Sequence, residues 1–286
     1  MKQYIIDKKF AVLNRTDSNG SQSKFHKDGY WYKYDMTGKE GLAECLASAL
    51  LSCSNVKEFV EYEHCMINER EGCRSKDFIR EGESLITFDK LYFNATGELL
   101  NDTLWTMQDA DARFTFLVDT MKEYTGLDIT EYLYQNLAID CITRNPDRHF
   151  KNLAFLLGND GRFRTAPIFD NGQGLLQNYT ITPPNTPLWK AEQALTAATV
   201  SGSFDEQYMV ALKHLKEQDK EPIQINYKTL REKLNHLPDT TAKSYLMHNL
   251  NQYKEFATVE TKDVFKDCDL TTFSFDYEEE EDYDYY

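Results

Sequence analysis

The stretch Asn145-Pro146-Asp147-Arg148-His149-Phe150-Lys151-Asn152 decides how this chain is read. A helical pattern precedes it over residues 131–145, where Leu133, Leu137 and Cys141 alternate with Tyr134, Ala138 and Ile142 at helical spacing. Asp128 followed by Glu131 offers a cap at its start. Pro146 disfavours the α region for Asn145, so the helix is expected to stop there. Residues 153–157 and 165–169 then read as a short β-hairpin across Gly158-Asn159-Asp160-Gly161, followed by Asp170-Asn171-Gly172. An aspartate and an asparagine five residues apart thus leave a helix end together, and a second aspartate returns after a hairpin. Phosphoryl transfer suits such a set, because it needs positioning, oxygen ligands for Mg²⁺ and a carboxylate near the attacking hydroxyl, but little covalent help. Asn152 and Asp170 would supply the oxygens. Asp147 would orient or deprotonate the acceptor, and Gly172 would allow the turn that points Asp170 inward. Taken singly, each motif also reads as a salt-bridged loop or an ordinary turn; the joint spacing carries the chemistry.

Upstream, the first 78 residues read as a small sheet with one helix. Residues 4–13 are apolar-rich, Gly29-Tyr30-Trp31-Tyr32-Lys33-Tyr34 is an aromatic strand, and 59–62 and 73–78 are two further strands. Leu42, Cys45, Leu46, Ala49 and Leu50 mark an amphipathic helix over about 38–51. Lys33 either faces water by strand alternation or is buried, and a buried lysine needs partners such as a phosphate and a glutamate. Glu44 is the candidate, with Glu40 one turn earlier on the same face. Glu44 points away from the apolar stripe, so it meets Lys33 only if both faces of the helix are covered, which Ala43, Ala47 and Leu51 permit. The polar segment 16–24 reads as a loop. Its end, Gly20-Ser21-Gln22-Ser23-Lys24, would cover phosphates with backbone N–H groups or form a plain β-turn.

Downstream, the pattern is mainly helical from about Glu83, with segments over 114–124, 205–216, 228–237 and 241–256, and a proline-rich loop over 180–187. The last eleven residues, 276–286 (DYEEEEDYDYY), hold seven carboxylates and four tyrosines and read as disordered.

Composition sets the outer bounds. With 41% hydrophobic and 13% aromatic residues in 286, the chain can build a core. No apolar run approaches the roughly 18 residues of a membrane span. There are 32 basic and 47 acidic residues, a net charge of −15, which argues against nucleic-acid binding through a broad basic surface. The six cysteines show no C-x-x-C and no zinc spacing, so reduced thiols are expected. No secretory signal is evident, so a cytoplasmic location is expected, with signal-independent export left open.

These segments resemble the kinase portion of the HipA-like serine/threonine kinases, distant relations of phosphoinositide 3/4-kinase-like enzymes. Asn145 to Asn152 matches the family's Asn-x-Asp-Arg-His-x-x-Asn catalytic loop, and Pro167-Ile168-Phe169-Asp170 its metal-binding strand. Gly20 to Lys24 matches a Gly-x-Gln-x-Lys nucleotide loop, Trp31 to Lys33 an aromatic-x-x-Lys strand with one residue missing, and Glu44 with Leu50 the helix glutamate and its leucine. The resemblance implies an α+β, two-lobed protein-kinase-like fold: an N-lobe over 1–78, a C-lobe over 79–260 and an acidic tail over 261–286. It implies Asp147 as catalytic base, with Arg148 and His149 supporting the loop, or His149 near the γ-phosphate. Asn152 and Asp170 would bind Mg²⁺. Gly20, Ser21, Gln22, Lys24, Lys33 and Glu44 would form the ATP site, with Lys33 on the α/β-phosphates. A protein substrate, a toxin-like or effector-like role and a regulatory or antitoxin-like partner follow from the family; direct DNA binding and membrane attachment do not. Three features depart from it: Asp17, followed by Ser18, stands where some members autophosphorylate a serine; no counterpart of the extra amino-terminal domain is seen; and the tyrosine-rich tail is foreign to it. The same scaffold would also serve a pseudokinase or nucleotide-binding interaction module, a lipid or small-molecule kinase, or an AMP transferase. Basic membrane-binding surface, which phosphoinositide kinases use, is not indicated by the charge.

Overall fold

The computed structural model describes residues 1–12, 24–237 and 240–258. The nucleotide-loop residues Gly20, Ser21 and Gln22, Cys268 and the acidic tail lie outside them.

The amino-terminal lobe is built on β1 (Lys2–Tyr4), β2 (Ala11–Val12), β3 (Lys24–Lys27), β4 (Tyr30–Tyr34), helix α1 (Glu40–Leu51), β5 (Tyr62–Ile67) and β6 (Arg70–Lys76). The six strands form one sheet in the order β1-β5-β6-β4-β3-β2, in which β1 and β5 run parallel and the other pairs antiparallel. Two-residue turns close the β3–β4 and β5–β6 hairpins, at Asp28-Gly29 and Asn68-Glu69. All four turn residues have positive φ, as the strand twist demands of so short a connection. The expected strand over 59–62 is displaced: β5 begins at Tyr62, and Phe59 makes only an isolated bridge to Ile168. Residues 4–13 are not one strand either, because a 3₁₀ turn at Lys8–Phe10 separates β1 from β2. Lys24 belongs to strand β3 rather than to a loop.

Helix α1 is buried on nearly every side, with Ala49 its one part-exposed residue. One side packs on β5 and β6 and the other on the carboxy-terminal helices, so the face carrying Glu44 is covered. Gly41 seats the helix on Gly72 of β6, where a Cβ would lie 2.5 Å from the Gly72 carbonyl carbon, closer than side chains come. Asp35, just after β4, accepts the Gly41 N–H at 2.7 Å, while its other oxygen is buried without a hydrogen-bond partner. Burial raises the Asp35 carboxyl from 3.8 to about 7, with Glu40 and Glu71 adding to it and the Gly41 N–H and Lys39 opposing. The folded protein therefore holds this proton more tightly than the unfolded chain. The resulting stabilisation is complete at low pH and is lost as pH rises through about 7. Asp35→Asn should be more stable than the wild type at pH 8 by about 2 kcal/mol, with the difference vanishing near pH 4. Urea unfolding of both proteins at the two pH values checks this; an equal difference at both would refute it.

The rest of the chain continues with β7 (Glu83–Thr87), α2 (Phe88–Thr96), α3 (Leu100–Leu104), α4 (Ala110–Thr125), α5 (Thr130–Thr143), β8 (Ala154–Gly158), β9 (Phe163–Thr165), α6 (Leu188–Ala194), α7 (Phe204–Glu217), α8 (Tyr227–Asn235) and α9 (Thr241–Gln252). It does not turn helical at once after Glu83: β7 pairs antiparallel with β8, and β9 completes a second, three-stranded sheet. The return strand of that hairpin ends at Thr165. Beyond it Ala166 still donates to the Ala154 carbonyl at 2.9 Å, and the chain then changes partner: Ile168 exchanges backbone hydrogen bonds with Glu58 and Val60, between α1 and β5, each 2.9 Å. Helices α2, α3 and α6 were not legible in the sequence, being five to nine residues long.

Helix α5 is the axis of the larger lobe. Leu133, Leu137, Ile139, Cys141 and Ile142 are fully buried in one apolar core that also takes in Phe114, Phe155, Leu215 and Leu246. Its start departs from the expected capping box: Ile129 occupies the cap, Asp128 accepts the Thr130 N–H at 2.9 Å, and Glu131 pairs with Gln135 instead of reaching back. It ends at Thr143, three residues before Pro146, with Arg144 left-handed at φ 51°. All five described cysteines are free and buried. Among the described residues no helix is long and apolar enough to cross a membrane.

Candidate active site

The site begins with an ion triad that spans both lobes. Lys33 of β4 is 8% exposed, and its Nζ lies 3.1 Å from Glu44 Oε1 of α1 and 2.8 Å from Asp170 Oδ1 beyond β9. Glu40 is not its partner: that side chain turns back to accept the backbone N–H groups of Met36 and Thr37. Burial works against the Lys33 ammonium, but Asp170 and Glu44 outweigh it and hold its pKa well above the ordinary value. Asp170 is pushed well below the usual carboxylate range: burial alone would raise it, and Lys33 and Lys24 overcome that. Burial pushes Glu44 up, so Asp170 is the more strongly ionised of the two carboxylates. Lys24 lies directly across from Lys33 in the β3–β4 register, and burial together with the Lys33 charge lowers its pKa.

The residues of the loop 145–152 hang from Arg148. This side chain is fully buried and grips Asp140 of α5, with Nε 2.9 Å from Oδ2 and Nη2 3.0 Å from Oδ1. Asn145 adds a bond to Asp140 Oδ1 at 3.1 Å. Arg148 Nη1 donates to the Phe169 carbonyl at 2.7 Å and reaches the Asn152 carbonyl at 3.5 Å, and Nη2 donates to Asn171 Oδ1 at 2.6 Å. One guanidinium thus ties the loop 145–152 to the segment around Asp170. Asp147 stays partly exposed at the cleft. Partial burial raises its carboxyl pKa, with nearby Asp170 adding to the rise and His149 opposing it. A carboxylate tuned in that direction is a better proton acceptor. His149 stands beside it, Nε2 3.8 Å from Asp147 Oδ1.

Two adjoining hollows of about 580 Å³ each share Lys24, Lys151 and Asp170 in their walls. One runs under the sheet past Val12, Trp31, Lys33, Phe78 and Leu85; the other runs past Asp89, Asp147, His149 and Thr180. The first offers apolar walls to a planar base and the second hydrogen-bonding groups around Asp147. The described donor set also fits Mg²⁺. Asn152 spends its amide N–H on the Asp147 carbonyl at 2.9 Å, which leaves its Oδ1 as an acceptor, and Lys33 engages only Oδ1 of Asp170. Among the described residues no group of three or more His, Cys, Asp or Glu could hold a metal unaided. One carboxylate and one amide oxygen, completed by phosphates and water, is the kind of set Mg²⁺ accepts.

The structure therefore brings together Asp147, Arg148, His149, Asn152, Asp170, Lys33, Glu44 and Lys24, while Gly20, Ser21 and Gln22 lie outside the described residues. The role expected of Gly172 is corrected. The left-handed residue is Asp170 itself, at φ 60°. Gly172 instead sits in a tight spot, where a Cβ would lie 3.2 Å from that of Glu40 and 3.4 Å from Cγ of Glu44. Sequence reasoning missed Asp140, Asn171, Tyr62 and Lys151. The carboxylate of Asp140 amid Leu137, Ala138, Ile139, Cys141 and Ile142 was the available signal. Tyr62, whose hydroxyl accepts the Asp170 N–H at 3.4 Å, gave none.

No protein-family model matches the chain, and no curated sequence matches it. Solved structures do. The crystal structure of the Helicobacter pylori proinflammatory kinase CtkA superposes with a TM-score of 0.62 at 14% identity, covering 92% of this chain and 96% of that one. HipA of Shewanella oneidensis MR-1, solved with HipB and operator DNA, gives a TM-score of 0.44 at 12% identity over 88% of this chain and 67% of that one. The likeness to the first shows the fold: a kinase-like α+β architecture with a β-sheet lobe and a helical lobe.

Proposed function

We propose that this kinase-fold chain is an ATP- and Mg²⁺-dependent phosphotransferase of HipA-like type, and that it moves the γ-phosphoryl group to a serine or threonine hydroxyl of a protein. The observation that carries this reading is the buried Lys33, held charged between Glu44 and Asp170 beside a third carboxylate, Asp147, which is more basic than Asp170. A binding module has no use for that third carboxylate.

Residues 1–78 and 79–260 act as the two lobes around the nucleotide. Lys33 and Lys24 receive phosphate oxygens, and Asn152 and Asp170 hold Mg²⁺, which neutralises phosphate charge. Asp147 accepts the proton of the acceptor hydroxyl while that oxygen bonds to the γ-phosphorus. The bond from phosphorus to the β–γ bridging oxygen breaks, and ADP leaves. Arg148 takes no part in the chemistry; it fixes the loop. The HipA-like resemblance supports a cellular protein as substrate, a cytoplasmic setting and an antitoxin-like regulatory partner.

Intact mass after incubation with Mg·ATP, together with phosphorylation of lysate proteins, tests the proposal. Gains of about 80 Da on the chain or on lysate proteins support it. A gain of about 329 Da would move the reading to AMP transfer, and the absence of any transfer would overturn it. Asp170→Ala should weaken Mg·ATP binding at least about tenfold and reduce transfer further, because it removes a metal oxygen and a Lys33 partner together. Unchanged Mg·ATP affinity by titration calorimetry would contradict the role given to Asp170.

A further inference from the structure

Asn171 is 2% exposed, and its two polar ends go to opposite lobes. Its backbone N–H donates to Glu44 Oε2 of α1 at 2.8 Å, and its side-chain Oδ1 accepts from Arg148 Nη2 at 2.6 Å. The residue before it, Asp170, holds a left-handed backbone at φ 60°, a conformation a non-glycine residue keeps only when its surroundings impose it. Arg148 Nη1 holds the Phe169 carbonyl at 2.7 Å on one side, Asn171 is pinned twice on the other, and the Tyr62 hydroxyl and Lys33 take the N–H and Oδ1 of Asp170 itself. Arg148 in turn is fixed by Asp140.

We infer that Asn171 is a positioning residue: it locks the strained Asp170 into the cleft by joining Glu44 of the sheet lobe to Arg148 of the catalytic loop. This role rests on the phosphotransferase reading above. Glu44 has one oxygen on Lys33 and the other on Asn171, so displacement of α1 would release Lys33 and Asp170 together. The side chain supplies one half of the lock, since its Oδ1 is the acceptor for Arg148. The backbone supplies the other half and survives any non-proline substitution.

The test compares wild type, Asn171→Ala and Asn171→Asp. Alanine removes the Oδ1 acceptor, whereas aspartate keeps an oxygen in the same place for Arg148 Nη2. Amide hydrogen exchange of the nucleotide-free proteins is the first readout. Exchange in a peptide covering 168–172 should speed up at least about tenfold in Asn171→Ala and about twofold or less in Asn171→Asp, with α5 and β8 unchanged in both. The second readout is ATP binding by calorimetry, with Mg²⁺ and with EDTA. Asn171→Ala should lose about tenfold in affinity with Mg²⁺ and about twofold or less in EDTA, because the damage falls on the metal-binding carboxylate. Unchanged exchange at 168–172, acceleration spread across the helical lobe, or equal losses with and without Mg²⁺ would each overturn the assignment. So would an aspartate variant as impaired as the alanine one. Failure of wild type to bind or transfer from ATP would instead sink the phosphotransferase reading, while the exchange data would still decide whether Asn171 locks Asp170.

Discussion

Replacing Asp147 by asparagine should lower phosphoryl transfer by about three orders of magnitude while leaving ATP affinity within about twofold. Asparagine keeps the size and the hydrogen-bonding oxygen but cannot accept the acceptor hydroxyl's proton. General-base catalysis by a positioned carboxylate contributes roughly 10²–10⁴ in rate. ATP affinity should survive because Lys33, Lys24 and Asp170, not Asp147, face the phosphates in this reading, and among the described residues the closest ion-pairing group to Asp147 is the partly exposed His149 at 3.8 Å, not a buried partner that folding depends on. Single-turnover transfer and equilibrium ATP binding on the same preparation separate the two quantities. Transfer within tenfold of wild type would take the base role from Asp147, and a collapse of binding would show that the carboxylate holds the nucleotide or the fold instead.

The second large effect is on stability. Arg148→Met should cost about 3–5 kcal/mol, because it strands the Asp140 carboxylate in a fully buried position. Both oxygens of Asp140 accept from Arg148, and among the described residues Asn145 is the one further side-chain donor, so methionine leaves a charge with a single neutral partner there. Burial already raises the Asp140 carboxyl against the pull of Arg148. Without the guanidinium that rise would lose its main opposing charge and favour the protonated acid, which softens the loss without removing it. The double variant Arg148→Met/Asp140→Leu should recover a substantial part of that stability, since replacing a whole buried pair by apolar side chains is often nearly neutral. It should stay impaired in transfer, because the Phe169 carbonyl and Asn171 Oδ1 lose their donor. Chemical denaturation of the three proteins measures this. A single variant within about 1 kcal/mol of wild type would show that the pair does not hold the loop.

Both effects trace to one stretch, and that stretch is where the sequence was most informative. Its carboxylates, its proline and the apolar periodicity before it are local signals: the helix had to end near Pro146, and the chain had to leave it carrying Asp147 and Asn152. The β4 strand, α1 and the three late helices were legible for the same reason, since period-2 and period-3.6 patterns of burial are written along the chain. What failed was structure that depends on a distant partner. β7 was absorbed into a helical reading because its ladder partner, β8, lies some seventy residues on. The return strand of the hairpin was placed too late because beyond Ala166 the chain exchanges that ladder for bonds from Ile168 to Glu58 and Val60.

The sequence by itself therefore determined which side chains were available for chemistry, and on which kinds of element they stand. Only the tertiary structure decided which of them are neighbours. Glu44 rather than Glu40 meets Lys33 because α1 is enclosed by the sheet on one side and the helical lobe on the other, a coverage that no periodicity within twelve residues can express. Asp170 rather than Gly172 takes the left-handed turn because Arg148, Glu44, Tyr62 and Lys33 converge on it from four separate segments. Burial makes those contacts worth holding: out of water, each charge and each N–H must find a partner, and the partners come from wherever the fold brings them.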